Sequence, residues 1–496
     1  DLLEARALRI TRDADLYIDE EDAQDLVVEV ERQLKKRQRG QAVRLEFEVG
    51  TSRFMRRFMT QEMNLAKEDM YQIDGPLDMT VFFGFCGIKG YNHLRYPEAH
   101  PHSPWSMLEL KRTPETNIFD MIREKDLLIH LPYESFDESV VNFLYSAAND
   151  KDVLAIKQTL YRVSSSSPVV QALEKAVQNG KQVTVLMEVK ARFDEANNIL
   201  MARRLEKAGA HVIYGLVGLK THSKCTLVIR REKDGIRRYV HVATGNYNAS
   251  TAKLYTDLGI LTCNDRFGID ASAFFNLLSG YSDPPIWDSF IVAPINLRQR
   301  CIELIDREIH FAKNGEDAHM IAKMNSLLDK GIIEKLYEAS QAGVKIELIV
   351  RGICVLIPGI PGVSDNITVR SIVGRFLEHS RIFWFRNGGR EELYISSADW
   401  MPRNLNDRVE LMVPIEDPEI KRRLKQMVDI ELSDNQKAHI MQADGTWLKT
   451  ISAENQLCAQ EYFQKIAEKR DAEDEMTLAQ KLEPYTPVLG HGDGSD

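Results

Sequence analysis

The chain has 496 residues, of which 44% are apolar and 28% are charged, and its formal net charge is −10 at pH 7. This length exceeds what one hydrophobic core supports, so about two to four domains are expected. The negative charge argues against a basic protein that coats nucleic acid. Six scattered cysteines without a C-x-x-C pair indicate neither a zinc cage nor a disulfide framework. These cysteines fit a reducing cytoplasm, where we expect the protein, and no apolar run approaches the roughly 20 residues of a membrane span.

The first part of the chain, residues 1–108, is expected to form an α+β head domain. It contains strand-like alternation at Val43–Val49 and a helical pattern at Arg53–Leu65. The aromatic segment Val81–Gly87 contains glycines, but no helical pattern follows them, so it is not a nucleotide-binding fingerprint. The stretch from Pro104 to Pro114 indicates the end of this domain.

After this stretch, strands and helices alternate, which predicts an α/β fold. Apolar strands are expected at Leu154–Val163 and Val183–Val189, with a helix over Ala196–Ala208 after the second strand. The same order recurs later in the chain, where a helix over Ile332–Gln341 precedes a strand at Val344–Val350. The two copies are separated by roughly 160 residues, which is too long a period for a solenoid, so each copy is expected to be a whole domain. The predicted division is a head over 1–108, α/β domains over 109–289 and 290–474, and a tail over 475–496.

Each α/β copy contains a histidine two residues before a basic residue, on a strand-like run. These pairs are His222 with Lys224 and His379 with Arg381, 157 residues apart (379 − 222). Side chains at i and i+2 of a strand point to the same side, so each pair should face one space. A single histidine on a strand is usually a core or surface residue. Its recurrence in matching places predicts two facing half-sites, in which imidazole attacks phosphorus and a cation holds the phosphate.

Three arginines lie at or just after the carboxyl ends of predicted strands, where open α/β sheets bind ligands. They are Arg162, Arg192 and Arg351. Solvated surface charge and binding of phosphate or carboxylate are both open for these residues. The stretch Gly215–Thr221 lacks the spacing and the following helix of a phosphate-binding loop. Side chains, rather than a glycine loop, are therefore expected to bind phosphate.

Four longer strings carry a resemblance to a known family, namely Ile129–Phe136, Lys220–Lys224, Ala243–Asn248 and Tyr255–Gly259. The two His-x-basic units resemble the phospholipase D superfamily, and the four strings are similar to long-chain bacterial polyphosphate kinases, over nearly the whole chain. The sequence departs from the phospholipase pattern because Val228 and Phe385, six residues after the histidines, replace Asp. It departs from full-length kinases in lacking their N-terminal domain, so we expect an incomplete head and weak nucleotide binding.

The resemblance implies two tandem phospholipase D-like α/β domains behind the head. It implies an ATP:polyphosphate phosphotransferase, which reversibly transfers the terminal phosphoryl group of ATP to a growing inorganic polyphosphate chain. His222 matches the histidine that is phosphorylated, and His379 matches a second catalytic histidine that protonates or stabilises during transfer. Tyr255, Arg351 and His379 match positions that contact the nucleotide.

The resemblance also implies a magnesium site at Arg162 and Arg192. Arginine has no lone pair for a cation, so we expect these side chains to hold phosphate oxygens that in turn bind Mg²⁺. The expected partners are ATP or ADP, inorganic polyphosphate and further copies of the chain in a homo-oligomer, without nucleic acid. The resemblance allows peripheral membrane association beside the cytoplasmic location. The residues expected to bind phosphate are Lys220, Lys224, Asn246 and Arg381.

Two alternative functions share these features. One is a phospholipase D-like phosphodiesterase or nuclease, and the other is a non-catalytic protein that binds polyanions and uses the histidines structurally. The absent Asp positions and the Tyr255–Gly259 string favour the kinase. Within the kinase, His379 is expected to have the raised pKa, because Glu378 and Asp399 place carboxylates near it in the sequence.

Overall fold

A computed structural model describes residues 2, 4–14, 26–37, 40–108, 116–280 and 286–481, with side chains described as far as residue 470. The chain divides into two units, Asp1–Ala99 and His100–Asp496. Within the described ranges, no helix combines the length and the apolar composition that crossing a membrane requires. The predicted tail at 475–496 lies largely outside the described residues. The predicted domain boundaries at 108, 289 and 474 stay predictions.

The first unit contains a three-stranded sheet and two helices. Its elements in chain order are β1 (Leu8–Arg12), α1 (Leu26–Arg37), β2 (Ala42–Glu48), α2 (Arg53–Met63) and β3 (Met70–Ile73). Strand β2 lies in the middle, antiparallel to β1 and parallel to β3. Its residues Ala42, Leu45 and Phe47 are buried with Leu65 in a small core. The predicted α+β head is confirmed, and its aromatic stretch is a 3₁₀ helix over Met79–Gly87.

The second unit contains two successive runs of strands. The first run is β4 (Leu127–Leu131), β5 (Val153–Leu160), β6 (Gln182–Met187), β7 (His211–Ile213), β8 (Lys220–Thr221), β9 (Cys225–Glu232), β10 (Gly235–Ala243) and β11 (Tyr255–Thr262). The second run is β12 (Ile291–Ala293), β13 (His319–Met324), β14 (Lys345–Val350), β15 (Ile367–Ile372), β16 (Leu377–Glu378), β17 (Ile382–Phe385), β18 (Glu392–Ser396), β19 (Arg408–Pro414), β20 (Ala438–Met441) and β21 (Trp447–Lys449). We call residues 100–280 the first half and residues 286–481 the second half.

Helices accompany both runs. Those of the first half are α3 (Ile118–Glu124), α4 (Asn142–Asn149), α5 (Pro168–Gln178), α6 (Glu195–Ala208) and α7 (Asp265–Leu278). Those of the second half are α8 (Leu297–Lys313), α9 (Lys330–Gln341), α10 (Pro402–Asn406), α11 (Pro418–Leu432) and α12 (Ala459–Lys481). Local signals set their ends. Ser167 accepts from the backbone N–H of Val170 at the start of α5, and Gly209 ends α6 with a φ of 104°.

The two sheets repeat one strand order, as the predicted duplication requires. The first runs β11-β10-β9-β5-β6-β7 with β4 beside β11, and the second runs β19-β18-β17-β13-β14-β15 with β12 beside β19. Strands β5 to β7 are parallel, as are β13 to β15, and the remaining neighbours within each run are antiparallel. The second sheet continues through β20 and β21. The predicted α/β class is therefore confirmed.

Two short strands are exchanged between the halves. Strand β8 of the first half pairs in parallel with β19 of the second, and β16 of the second half pairs in parallel with β11 of the first. The histidine segments follow directly. The prediction of continuous His-bearing strands is wrong, because residues 222–224 and 379–381 have no regular structure. There the chain leaves the sheet of the opposite half before it enters β9 or β17 of its own.

Candidate functional site

Each exchanged strand brings a histidine to a carboxylate of the opposite half. Nδ1 of His222 lies 2.9 Å from Oε2 of Glu410, and Nδ1 of His379 lies 2.8 Å from Oδ1 of Asp257. Glu410 and Asp257 occupy the third positions of β19 and β11, which match each other in the two sheets. The site is therefore reciprocal, because the carboxylate at each histidine comes from the other half.

The contact with Glu410 determines which nitrogen of His222 is available. A carboxylate only accepts hydrogen bonds, so the ring proton lies on Nδ1 and the lone pair on Nε2. Among the described residues, none makes a hydrogen bond to Nε2. Burial lowers the pKa of His222 well below its usual value, and the charges of Lys224 and Arg408 lower it further. The imidazole is therefore neutral at pH 7, the form that acts as a nucleophile.

The carboxylate of Glu410 is itself held in place. Ser397 Oγ donates to Oε2 at 2.5 Å, and Asn404 Nδ2 donates to Oε1 at 2.6 Å. Its side chain has no solvent exposure, and burial raises the pKa of Glu410 against the opposing charges of Lys224 and Arg408. Two fixed donors and the imidazole thus leave Glu410 little rotational freedom.

The second histidine has a different environment. Nη1 of Arg381 lies 3.2 Å from both ring nitrogens of His379, so it sits over the face of the ring rather than at an edge. The prediction of a raised pKa is wrong. Burial lowers the pKa of His379 and Arg381 lowers it further, while Asp257 opposes them. Asp399, which we expected at the histidine, instead accepts from Nε of Arg381 at 3.1 Å.

The charge of Lys224 acts on both histidines. Its Nζ donates to the backbone carbonyl of His222, and burial lowers the pKa of Lys224 to about 7. The charges of Lys224 and Arg381 lower the pKa of both His222 and His379, after burial. The two imidazoles therefore share one cluster of cations, as the facing half-sites of the sequence require.

Two of the residues matched to nucleotide contacts lie near His379. The rings of Tyr255 and His379 have centroids 5.3 Å apart. Nε of Arg351 donates to Oδ1 of Asn325 at 2.9 Å, and Nδ2 of Asn325 donates to the carbonyl of His379 at 3.0 Å. One amide thus connects the guanidinium to the histidine backbone. Since Nε is used by Asn325, the terminal nitrogens of Arg351 remain for a ligand.

The two arginines matched to the metal site lie beside each other. Nη2 of Arg162 donates to the carbonyl of Arg192 at 3.4 Å, and its Nε lies 2.9 Å from Oδ2 of Asp194. No group of three or more His, Cys, Asp or Glu that could hold a metal ion occurs among the described residues. Guanidinium groups cannot coordinate a cation, so these side chains fit phosphate oxygens and do not fit Mg²⁺ directly.

The two remaining candidate phosphate ligands lie near the same carboxylates and cations. Lys220 pairs with Arg408 across the exchanged strand, and burial lowers the pKa of Lys220. Asn246 follows Gly245 in the turn after β10, and its Oδ1 has no hydrogen-bond partner among the described residues. A Cβ at Gly245 would collide with the carboxylate of Asp257. This turn can therefore approach the His379 pair only because it has glycine there.

Glu410, Asp257 and Asn325 are site residues that the sequence motifs do not predict. Asp257 lies inside the string Tyr255–Gly259, which carries the resemblance to the family but no predicted role for this carboxylate. The sequence does contain a signal for the two carboxylates. When β11 and β19 are aligned as matching strands of the two copies, Asp257 and Glu410 occupy the same position. Asn325 follows β13 without any motif, so no comparable signal pointed to it.

Two buried imidazoles, each held by a carboxylate and surrounded by lysine and arginine, are typical of enzymes that act on phosphorus through histidine. Family models match almost the whole chain: the polyphosphate kinase middle domain at residues 1–85, C-terminal domain 1 at 117–284 and C-terminal domain 2 at 290–460. The chain belongs to the polyphosphate kinase family, which confirms the family expected from the sequence.

Individual relatives agree with these matches. Polyphosphate kinase from Halalkalibacterium halodurans is 54% identical over 433 residues, covering 87% of this chain and 61% of the relative. The kinase from Bacillus anthracis is 51% identical over 450 residues, covering 90% and 63%. The crystal structure of polyphosphate kinase from Porphyromonas gingivalis has a TM-score of 0.82 at 32% identity, covering 95% of this chain and 68% of that one. The chain spans about three fifths of the length of the two sequence relatives.

Proposed function

We propose that this chain carries the phosphotransfer site of a polyphosphate kinase. The enzyme reversibly transfers the terminal phosphoryl group of ATP to inorganic polyphosphate through a phosphohistidine at His222. The observation that supports this proposal most directly is the state of that imidazole. It is neutral, its Nδ1 is held by Glu410, and its Nε2 has no partner among the described residues.

In the first step, the lone pair on Nε2 of His222 forms a bond to the terminal phosphorus of ATP. The bond from that phosphorus to the bridging oxygen breaks, and ADP leaves with the electron pair. Because Nδ1 keeps its proton, the phosphorylated ring is cationic, and Glu410 compensates its charge. In the second step, a terminal oxygen of polyphosphate attacks the same phosphorus, and the N–P bond breaks to restore the neutral ring.

His379 is the second catalytic histidine in this scheme, and Tyr255, Arg351 and His379 contact the nucleotide. Asp257 holds the proton of the neutral His379 ring on Nδ1, so Nε2 has no proton to donate, and the guanidinium of Arg381 over the ring would supply the charge that stabilises the transferring phosphoryl group. Membership of this family suggests a kinase that requires a metal ion, and we propose Mg²⁺. Arg162 and Arg192 would hold phosphate oxygens, and these oxygens would bind the ion.

A path for the polyanion is proposed along the cations of the site. Coulomb attraction to these cations favours a chain of phosphates there. We further propose that the protein forms homo-oligomers in the cytoplasm, with peripheral membrane association allowed. The proposed phosphate ligands of the path are the cations Lys220, Lys224 and Arg381, together with the amide of Asn246.

Incubation with Mg²⁺ and ATP labelled at the terminal phosphate tests the proposal. The expected result is acid-labile label on the peptide that contains His222, together with a polymer whose formation depends on ATP. Hydrolysis of phosphodiesters without polymer would instead support the phosphodiesterase. Binding of polyphosphate without label or turnover would support a non-catalytic protein.

A further inference from the structure

A buried network of polar side chains lies directly behind His379. Glu378, the residue before it, is 4% exposed and directs its carboxylate into the protein. Oε2 of Glu378 accepts from Nζ of Lys323 at 2.7 Å and from Oγ1 of Thr256 at 2.8 Å. Lys323 also contacts Glu431, so one buried lysine is shared by two carboxylates. Burial raises the pKa of Glu431, which reduces the negative charge that this cluster carries at neutral pH.

Gln460 of α12 is the fifth member of the network. Its amide pairs with both backbone groups of Phe376, because Oε1 accepts from the N–H at 2.9 Å and Nε2 donates to the carbonyl at 2.8 Å. The same Nε2 donates to Oε1 of Glu378 at 2.7 Å. Gln460 is 4% exposed, and its amide pairs with the backbone of the residue just before β16 in the way that a neighbouring strand would.

These contacts matter because β16 has little backbone pairing of its own. It is two residues long, and it lies against β11 of the opposite half through Tyr255–Leu377 and Thr256–Glu378. The hydroxyl of Thr256, on β11, connects β11 to Glu378 of β16 and to His379. It donates to Glu378 and accepts from the backbone N–H of His379 at 3.2 Å. The next residue, Asp257, is the carboxylate that holds the imidazole.

We propose that Gln460 and Lys323 are positioning residues for His379: by fixing Glu378, they keep β16 on β11 so that the imidazole meets Asp257. The inference rests on the proposed function insofar as it concerns turnover. It does not concern a new contact to substrate, since none of these side chains lies at the reacting atoms. His222 has a separate support, because Oε2 of Glu188 accepts from the N–H of Thr221 at 2.7 Å.

Gln460→Met is the most informative variant, because it keeps length and removes three hydrogen bonds without adding a charge. Lys323→Met is a poorer test, since it would leave two buried carboxylates without their cation and threatens folding. In the full chain, kcat for polymer synthesis in Gln460→Met should fall about tenfold or more, because a bond to a charged group is lost. The KM for ATP should rise as well, because His379 and Tyr255, the proposed nucleotide contacts on either side of this pairing, would lose their positions.

A double-mutant cycle with Asp257→Asn separates positioning from general destabilisation. If Gln460 acts through the contact of His379 with Asp257, Gln460→Met should add little to the loss in kcat once Asp257 is replaced. Gln442→Met is the matched control. Gln442 lies in the turn after β20, where its Nε2 donates to the backbone carbonyl of Ile440. This control variant should leave kcat unchanged. Full additivity of Gln460→Met with Asp257→Asn would overturn the proposal.

Hydrogen exchange supplies a readout that is independent of kinase activity. Amides of the peptide containing Leu377 and His379 should exchange at least several-fold faster in Gln460→Met than in the unmodified chain, while peptides of β14 exchange as before. Unchanged exchange at β16 would refute the positioning role even if activity fell. Absence of kinase activity in the unmodified chain would reject the proposed function, yet the exchange comparison would still decide whether Gln460 fixes β16.

Discussion

Glu410 and His222 are 188 positions apart in the chain, yet their side chains form a hydrogen bond of 2.9 Å in the protein interior. This bond fixes the ring proton on Nδ1. In Glu410→Gln, the amide can donate to Nδ1, which would move the ring proton to Nε2 and remove the nucleophilic lone pair. We expect the rate of phosphohistidine formation to fall by about 10²- to 10⁴-fold, as loss of the correct tautomer does in a catalytic triad.

Rapid-quench measurement of acid-labile label on the His222 peptide checks this expectation. Glu308→Gln is the matched control, because Glu308 is also a buried carboxylate and accepts from the backbone N–H groups of Asn387 and His319. The control should label normally. Normal labelling in Glu410→Gln would show that the carboxylate does not set the tautomer.

The two histidines are expected to differ when each is replaced. His222→Ala should abolish both labelling and turnover, because it removes the proposed nucleophile. His379→Ala should reduce turnover severely but retain a slow trace of label on His222, since the pair of His222 with Glu410 does not include His379. Peptide mapping of acid-labile phosphate in the unmodified chain and both variants is the measurement. Label on the His379 peptide, with none at His222, would reverse the assignment.

Arg351→Lys keeps the positive charge but loses the planar group that can bind Asn325 and phosphate at once. We expect kcat/KM for ATP to fall about tenfold or more, because a charge-assisted bond contributes roughly 1.5–3 kcal/mol. Steady-state kinetics with varied ATP checks this. Arg375→Lys makes the same change at another arginine of the second half. Equal, small effects of the two substitutions would mean that Arg351 is not a phosphate ligand.

Binding of polyphosphate should be accompanied by uptake of a proton at Lys224. Burial lowers the pKa of this ammonium group to about 7, so above that pH much of the free protein has a neutral lysine. A bound anion favours the charged form and raises the pKa. Calorimetry at about pH 8, in buffers with different ionisation enthalpies, measures the protons taken up. Lys224→Arg should remove the uptake, because guanidinium stays charged. Equal uptake in both proteins would exclude Lys224.

His241 should make stability depend on pH without taking part in the reaction. Burial lowers its pKa to about 3, while the unfolded chain has the ordinary value of about 6.5. Between these values the unfolded state binds a proton that the folded state does not, so lower pH reduces the free energy of unfolding. The stability advantage of the unmodified chain over His241→Gln should shrink by about 1.4 kcal/mol per pH unit below 6.5. Urea unfolding from pH 7 to 5 measures this, and a constant difference would contradict the assigned pKa.

Local patterns were sufficient to predict the α/β class, the duplication and the segments that carry His222 and His379. Each of these features repeats or extends over a short stretch of chain, so periodicity and spacing reveal it. The partners of the histidines were not predictable in the same way. Glu410 and Asp257 are separated from them by 188 and 122 residues, and they meet only through strand exchange.

The error at Asp399 has the same origin. Asp399 is nearer to His379 in the sequence than Asp257 is, which suggested the wrong carboxylate. In the folded chain, the carboxylate of Asp399 accepts hydrogen bonds from Nε and Nη2 of Arg381 instead. Burial determines the sign of the pKa shift at His379, which is lowered rather than raised. No sequence pattern shows how completely this side chain is enclosed, so the sign could not be predicted.

The exchange of β8 and β16 also describes what one half would be on its own. A single half would carry an imidazole without a carboxylate and a carboxylate without an imidazole. In a pair of identical halves related by a two-fold axis, each half would supply the carboxylate for the imidazole of the other, as subunits do across an isologous interface. The second unit is thus equivalent to a dimer joined into one polypeptide. Because the two halves are separate stretches of one chain, they need not be identical, and one imidazole lies next to Lys224 while the other lies beneath Arg381.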